Sequence, residues 1–182
     1  SGNPTDTYTY ALFLATVDVD MKTGKAKCTG MTCVDWIGKP GNIQAVEGQI
    51  DGGMSHAIGF ALSEDYEDVK KHSNMAAAGV PYIKDVPDYP DFDYIHIDGV
   101  DPRGPFGSSG ASEAFQSSDH MAVINAINNA CGVRIYELPA RPEKIKAGIE
   151  ALAKGEPNPN KPEKYFLGND MYDALEDIKA NP

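Results

Sequence analysis

One stretch of the 182-residue chain, residues 43–66, constrains the fold more than any other. Apolar residues recur in it at three- and four-residue steps, as on one face of a long helix: Ile43, Val46, Ile50, Met54, Ile58 and Leu62. The same stretch contains four glycines: Gly48, Gly52, Gly53 and Gly59. Each glycine costs a helix about 1 kcal/mol relative to alanine. The stretch therefore predicts a helix that has another backbone or a ligand close against it.

Two strands are predicted before this helix, and a third follows it at 92–98. Residues 8–20 are rich in aromatic and β-branched side chains, and their middle is apolar on both faces, as in a central strand. A turn at 22–24 and a second apolar run at 25–36 complete a hairpin. Residues 92–98 alternate like a strand, after an irregular, proline-containing segment at 65–91. The predicted fold class is α+β, with a mixed sheet and a long glycine-rich helix.

The C-terminal third predicts further helices. Ser117 or Ser118 caps the first helix, which ends at Gly132. A short strand is expected at 133–136, and a second helix runs from 142 to 155, with proline at its start and glycine at its end. A short final helix, ending near residue 178, follows a linker-like segment.

The stretch at 104–120, GPFGSSGASEAFQSSDH, is dominated by glycine and serine and precedes the helix that contains Met121. Bare backbone of this kind lets N–H groups approach an anion or an oxygen-rich ligand, and the helix N-terminus favours negative charge. A carboxylate held beside such a ligand is a candidate general base, and Glu113 occupies that position. The alternative is a surface loop with a solvated glutamate.

Ser109 offers a different chemistry. Residues 107–111, GSSGA, nearly match the GxSxG motif of serine hydrolases, between a predicted strand and a predicted helix. His120 follows, but no acidic partner stands out between the two residues, so a serine hydrolase stays an open alternative. No two of the four histidines have the i, i+4 spacing of a helical metal site, and a metal held by this chain's own side chains is not expected.

Charge and cysteine content bear on partners and compartment. A net charge of −11 and a pI of about 4.7 argue against a nucleic-acid partner, and no apolar run reaches the roughly 20 residues that span a bilayer. Cys28, Cys33 and Cys131 form neither a disulfide framework nor a zinc site. Free thiols favour the cytoplasm. The periplasm stays open, since a processed exported chain would look the same.

Three blocks, taken together and in this order, resemble the xanthine oxidase and aldehyde oxidoreductase family of molybdenum hydroxylases: EGQIDGGMSHAIGFALSEDY, GPFGSSGASEAFQSSDHMAVINAI and GVRIYELPARPEKI. The resemblance covers about residues 8–152 and is strongest to bacterial aldehyde oxidoreductases. It implies that residues 1–155 are the C-terminal part of a larger molybdopterin-binding domain. Residues 156–182 would then be an extension with a short helix.

The resemblance also implies a cofactor and roles for five residues. The cofactor would be molybdopterin cytosine dinucleotide, with oxo and sulfido ligands on molybdenum. Glu113 would be the catalytic base, taking a proton from a molybdenum-bound hydroxyl group while a hydride passes to the sulfido ligand. Gln49 matches a cofactor-contacting glutamine, and Gly110, Ala111 and Ser112 would bring hydrogen-bond donors to the pterin or the metal ligands.

The implied reaction converts a small aldehyde to a carboxylic acid with water as the oxygen source. Hydroxylation of a purine-type N-heterocycle and a non-catalytic structural role are the alternatives. Many family members have glycine before the glutamate and proline soon after it, where this chain has Ser112, Ala114 and Phe115. The substrate pocket is therefore expected to differ.

Partners are implied by the family's length. Its molybdenum portion is far longer than this chain, so the partners would be the remaining molybdenum-binding and iron–sulfur segments, in an oligomeric assembly. Those segments or chains would hold [2Fe-2S] clusters and, in some members, FAD. We expect the chain to be either a subunit from a split gene or one piece of a cleaved polypeptide.

Overall fold

A computed structural model of the chain describes residues 7–162. Its strands are β1 (Tyr10–Val19), β2 (Ala26–Trp36) and β3 (Phe92–His96), and its α-helices are α1 (Ile43–Leu62), α2 (Asp119–Cys131) and α3 (Pro142–Lys154). Three short 3₁₀ helices lie in the connections: Ile83–Asp85, Pro105–Gly107 and Glu113–Gln116. Within the described residues, no helix is both long and apolar enough to cross a membrane.

The three strands form one mixed sheet in the order β1-β2-β3, which confirms the predicted α+β class. β1 and β2 form an antiparallel hairpin, with Tyr10 opposite Trp36 and Val19 opposite Ala26. β3 is parallel to β2, and a parallel neighbour requires a long crossover connection. α1 and the irregular segment after it supply that crossover, so the glycine-rich helix lies against one face of the sheet.

The core lies between the inner face of the sheet and the helices α1 and α2. Sequence periodicity correctly predicted the buried face of α1, apart from the two helix ends. Buried residues from the sheet meet buried residues from both helices: Phe13, Met31, Cys33 and Phe92 from the strands, Val46, Ile50, Met54 and Ile58 from α1, and Val123, Ile124 and Ile127 from α2. Burial of this apolar surface is the main stabilising term for the fold.

The ends of α2 and α3 follow the predicted signals. The N-terminus of α1 has a cap that the sequence analysis did not identify, since the side chain of Asn42 accepts the N–H of Ala45. Gly132 and Gly155 end α2 and α3 in the left-handed conformation that glycine adopts without strain. Ser118 is the N-cap residue of α2, although its side chain makes no capping hydrogen bond.

Two sequence predictions were wrong. No strand forms at 133–136, where Val133 and Ile135 are buried in the core without a neighbouring strand. The alternation of apolar and polar residues at 133–136 therefore reflects side-chain burial and not strand pairing. β1 is an edge strand of the described sheet rather than a central one. The helix predicted to end near residue 178 lies outside the described residues.

Asp119 is a buried carboxylate in the first turn of α2. Its Oδ1 accepts the backbone N–H of His120 at 3.0 Å, whereas its Oδ2 has no hydrogen-bond partner among the described residues. Burial raises the pKa of the Asp119 carboxyl, and hydrogen bonds and charge from His120 offset this only in part. The ionised form is therefore less favourable in the folded protein than in the unfolded chain.

We predict that Asp119→Asn stabilises the protein at neutral pH by about 1 kcal/mol, because the neutral amide removes the cost of burying an ionised carboxylate that has too few hydrogen bonds. Because the pKa is raised on folding, the wild type loses stability as pH rises through the unfolded and then the folded pKa. The advantage of the variant should disappear toward pH 4. Thermal unfolding between pH 4 and pH 8 measures it.

Asp20→Asn is a control for which we expect a stability change of the opposite sign. Backbone N–H groups of Lys22 and Thr23 lower the pKa of the exposed Asp20 carboxyl, so this variant should lose stability at neutral pH. An Asp119→Asn protein that is less stable than the wild type at pH 7 would contradict our interpretation of Asp119.

Candidate functional site

Asp101 organises the loop that leads from β3 to the glycine–serine stretch. Its carboxylate is buried, with Oδ1 accepting the N–H of Arg103 at 2.9 Å and Oδ2 accepting the hydroxyl of Ser109 at 3.0 Å. The Arg103 N–H, with the Ser109 hydroxyl and the Arg103 charge, holds the pKa of Asp101 below its usual range. One buried carboxylate thus ties the two ends of the loop together.

The same loop is fastened to the chain that follows β2. The carbonyl of Gly107 accepts the N–H of Lys39 at 2.7 Å, and the N–H of Ser109 donates to the carbonyl of Ile37 at 2.7 Å. Gly38 has φ 67, and a Cβ there would overlap the Gly107 carbonyl oxygen. The close approach of loop and strand end therefore requires glycine at position 38.

α1 meets the Glu113–Gln116 3₁₀ helix backbone to backbone. Phe115 is fully buried, and a Cβ at Gly53 would overlap its carbonyl oxygen. A Cβ at Gly59 would overlap the Glu64 carboxylate and crowd Pro81. The chain's own packing thus accounts for two of the four glycines in α1.

The other two glycines, Gly48 and Gly52, have open space where a Cβ would be. Between them, Gln49 is exposed, and its Oε1 accepts the hydroxyl of Ser112 at 3.3 Å. The structure thus brings the predicted Gln49 and Ser112 together, 63 residues apart in sequence. This bond leaves the amide NH₂ of Gln49 available as a donor.

Gly110 and Ala111 lie next to this pair. The carbonyl of Gly110 accepts the hydroxyl of Thr9, but within residues 7–162 the backbone N–H groups of residues 110–112 have no hydrogen-bond partner. These three successive N–H groups and the NH₂ of Gln49 form a set rich in donors. Such a set can bind the oxygens of an anionic or heterocyclic ligand.

Glu113 is the first residue of the Glu113–Gln116 3₁₀ helix, directly after Ser112. Its side chain is exposed, and in the described part of the chain its carboxylate makes no hydrogen bond or ion pair. Both carboxylate oxygens are therefore accessible to a ligand or a substrate. The partly dry setting expected for a general base is not supplied by residues 7–162.

The geometry does not assemble a serine hydrolase. The Ser109 hydroxyl donates to Asp101, whereas a nucleophilic serine needs a general base. His120 lies instead against the Phe60 ring, with centroids 6.0 Å apart, and near Asp119. A hydrolase elbow also strains the serine backbone, yet among the described non-glycine residues Phe106 alone has a positive φ.

A polar cluster missed by the sequence analysis joins the sheet to α1. The buried Asp35 of β2 contacts Nδ1 of His96 at 2.8 Å, and Nε2 of His96 is 3.6 Å from the Glu47 carboxylate of α1. The hydroxyl of Tyr94 donates to Asp51, one turn along α1. Burial raises the pKa of Asp35, an effect that His96 opposes. Polar residues at inward positions of β2 and β3 were the available sequence signal.

We predict that Gly53→Ala destabilises the protein by about 1–3 kcal/mol, the cost of overpacking a well-packed site, because its Cβ would displace the Phe115 carbonyl. Gly52→Ala is the matched control, since the neighbouring position is open. There the better helix propensity of alanine should stabilise by up to about 1 kcal/mol. Thermal unfolding compares the two variants, and equal stabilities would contradict the proposed backbone contact.

Comparison with known proteins adds independent findings. The family model described as "Molybdopterin cofactor-binding domain" matches residues 1–87. The aldehyde oxidoreductase of Megalodesulfovibrio gigas is 47% identical over 150 residues, which cover 82% of this chain and 16% of that protein. The probable hypoxanthine oxidase XdhD of Escherichia coli K12 is 31% identical over 153 residues, with the same two shares.

A solved structure agrees with these sequence matches. The aldehyde oxidoreductase from Desulfovibrio gigas superposes with a TM-score of 0.76 at 47% identity, over 79% of this chain and 16% of that one. The chain therefore spans about one sixth of the length of the relatives it matches. The family model covers β1, β2 and α1 but not the glycine–serine stretch.

Proposed function

The chain belongs to the xanthine oxidase and aldehyde oxidoreductase family of molybdenum hydroxylases, matching part of its molybdopterin-binding portion, and from this premise we propose that it supplies the catalytic glutamate of an enzyme that oxidises aldehydes to carboxylic acids. Water is the oxygen source in this proposal. The observation that carries it is the exposed carboxylate of Glu113, which has no partner within residues 7–162 and lies next to the donor set of Gln49 and residues 110–112. The 47% identity to an aldehyde oxidoreductase favours an aldehyde substrate.

The residues present fit a molybdopterin. The N–H groups at 110–112, which have no partner within residues 7–162, and the Gln49 NH₂ can donate to the oxygens and ring nitrogens of such a group, while the Ser112 hydroxyl oxygen can accept from a ring N–H. The open sides of Gly48 and Gly52 let a ligand approach the α1 backbone closely. When bound, the cofactor, which we propose to be the cytosine dinucleotide form with oxo and sulfido ligands, supplies the molybdenum centre that accepts the substrate's electrons.

Each of the five predicted site residues then has a defined role. Gln49, Gly110, Ala111 and Ser112 bind and orient the cofactor through donated hydrogen bonds. Glu113 accepts a proton at a carboxylate oxygen when oxygen is transferred to the substrate carbon. The Asp101 bonds and the contact between Gly53 and Phe115 keep Glu113 in register with Gln49, and such positioning is a large part of catalytic power.

The proposal assigns the remaining parts of the enzyme to other polypeptide segments. Three cysteines cannot furnish the four thiolates of a [2Fe-2S] cluster, so the clusters, and FAD where it occurs, belong to other segments or chains of an oligomeric assembly. Cys28, Cys33 and Cys131 are free. Unpaired cysteines fit a cytoplasmic enzyme.

Hydroxylation of an N-heterocycle is the second candidate function. The 31% identity to a probable hypoxanthine oxidase favours it. Glu113 would play the same part in either reaction, so the substrate distinguishes the two. Turnover of a purine by the purified enzyme without turnover of aldehydes would favour the second candidate.

We predict that Glu113→Gln lowers kcat by about 10²- to 10⁴-fold, the usual contribution of a general base, with molybdenum content unchanged. The amide keeps the size of the side chain but cannot accept the proton. Steady-state kinetics and metal analysis of the assembled enzyme measure the two effects. Glu143→Gln, an exposed glutamate in the first turn of α3, is the control and should leave both unchanged.

Normal turnover by Glu113→Gln would refute the catalytic assignment. An assembled protein that contains no molybdenum would instead favour a purely structural role for the chain.

We predict that Gln49→Leu lowers the retention of molybdenum about tenfold during dialysis, since one lost hydrogen bond is worth about 1–1.5 kcal/mol. Gln44→Leu, an exposed glutamine on the same helix, should retain the wild-type content. Equal molybdenum contents in the two variants would count against a cofactor contact at Gln49.

A further inference from the structure

The sheet has an outer face, opposite α1 and α2, that is apolar rather than polar. Five large apolar residues on it are between 51% and 64% exposed: Tyr10, Leu12 and Leu14 of β1, Ile95 of β3, and Ile97 directly after it. A sheet face in contact with water normally carries polar side chains between the buried ones. The outer face therefore lacks the polar side chains that a sheet face in contact with water normally carries.

Strand register joins these residues into one patch. Tyr10 lies opposite Trp36 with ring centroids 5.8 Å apart, and Leu12 lies opposite Val34, which in turn pairs with Ile95. We call the following seven residues the outer-face patch: Tyr10, Leu12, Leu14, Val34, Trp36, Ile95 and Ile97. The patch occupies one end of the sheet, because at the other end of the same face Thr16, Thr32 and Asp93 are polar.

The outer-face patch continues into the loop of the candidate site. The Trp36 indole lies so close to Gly99 that a Cβ there would overlap its nitrogen. The next residue, Val100, is exposed, and Phe106 is 98% exposed. Phe106 also has φ 54, a strained conformation for an aromatic residue. The hydrogen bonds of Gly107 and the Asp101 bonds around it hold this strained conformation.

On the basis of the proposed function, we propose that the outer-face patch, together with Phe106, is the docking surface for another segment of the same enzyme's molybdenum-binding polypeptide. The packing face of that segment would be apolar and uncharged. The matched relatives extend far beyond the matched region, which is 16% of their length, so they contain ample sequence for such a segment. β1 itself is apolar on both faces, as strands covered on both sides are.

Charge favours this partner over a second copy of the chain. The patch contains no ionisable group apart from the Tyr10 hydroxyl, within a chain of net charge −11. Two such chains would repel each other, whereas an uncharged apolar segment gains burial at no electrostatic cost. Docking would also cover the rim of the loop that leads to Glu113 and so give the site part of the dry wall that residues 7–162 do not supply.

Hydroxyl-radical footprinting of the intact wild-type enzyme tests the proposal without relying on activity. The oxidation rate of each residue is compared with its rate in the denatured enzyme. Tyr10 and Phe106 should be protected as strongly as Phe13 and Phe115, which are buried in the core. Oxidation of Tyr10 and Phe106 at half or more of the denatured rate would overturn the proposal, as would protection that disappears on dilution, which indicates a second copy.

A charge variant gives an independent test. Leu12→Asp places a carboxylate in the patch and should raise the oxidation of Tyr10 and Phe106 in the intact enzyme to at least half of the denatured rate. Thr16→Asp, on the same strand and face but at the polar end, should leave both residues protected. Equal protection in both variants would contradict the proposal.

Failure of the docking proposal and failure of the catalytic proposal are distinguishable. Protection of Tyr10 with normal turnover by Glu113→Gln would refute the catalytic role alone. Full oxidation of Tyr10 with inactive Glu113→Gln would refute the docking surface alone.

Discussion

The contact between α1 and the Glu113–Gln116 3₁₀ helix is the constraint on which the candidate site depends. Gly53 lies against the carbonyl of Phe115, and the Phe115 ring is buried in the core. A side chain at position 53 would push the two backbones apart, so a single missing Cβ sets the distance between Gln49 and Glu113. Burial of apolar side chains stabilises the contact, and the absence of a side chain at Gly53 allows the two backbones to come close.

A second constraint acts on the loop from the opposite side. The buried Asp101 carboxylate binds both ends of the loop, and the Gly107 carbonyl accepts N–H groups from both Lys39 and Asp101. Burying a carboxylate costs less free energy when both of its oxygens are hydrogen-bonded, as the two oxygens of Asp101 are. The glycine–serine stretch is therefore held in a defined shape, while within residues 7–162 its N–H groups at 110–112 have no partner and are available to a ligand.

Periodicity and glycine content were enough to predict α1, the hairpin and the helix ends, because these depend on local chemistry. The glycines also indicated that something comes close to α1. For Gly53 and Gly59 it is the chain itself, whereas Gly48 and Gly52 remain open. The sequence alone could not distinguish the two pairs of glycines, since the difference depends on which distant segment of the chain packs against each side of α1.

Long-range polar contacts were beyond sequence reasoning for the same reason. Ser109 pairs with Asp101, which precedes it, rather than with a residue between Ser109 and His120. The link from Asp35 through His96 to Glu47 joins β2 and α1 to β3, which is distant from both in sequence. The alternation at 133–136 predicted a strand that does not form. An irregular segment that buries every second side chain has the same apolar pattern as a strand, even when no neighbouring strand is paired with it.

A double-mutant cycle between Gly53→Ala and Glu113→Gln, with kcat of the assembled enzyme as the readout, tests the central claim most directly. If Gly53 acts by holding Glu113 in place, Gly53→Ala lowers kcat in the enzyme that has Glu113 and has little further effect once Glu113 is replaced. If the two substitutions each lower kcat and the double mutant shows the product of the two separate factors, the claim is contradicted.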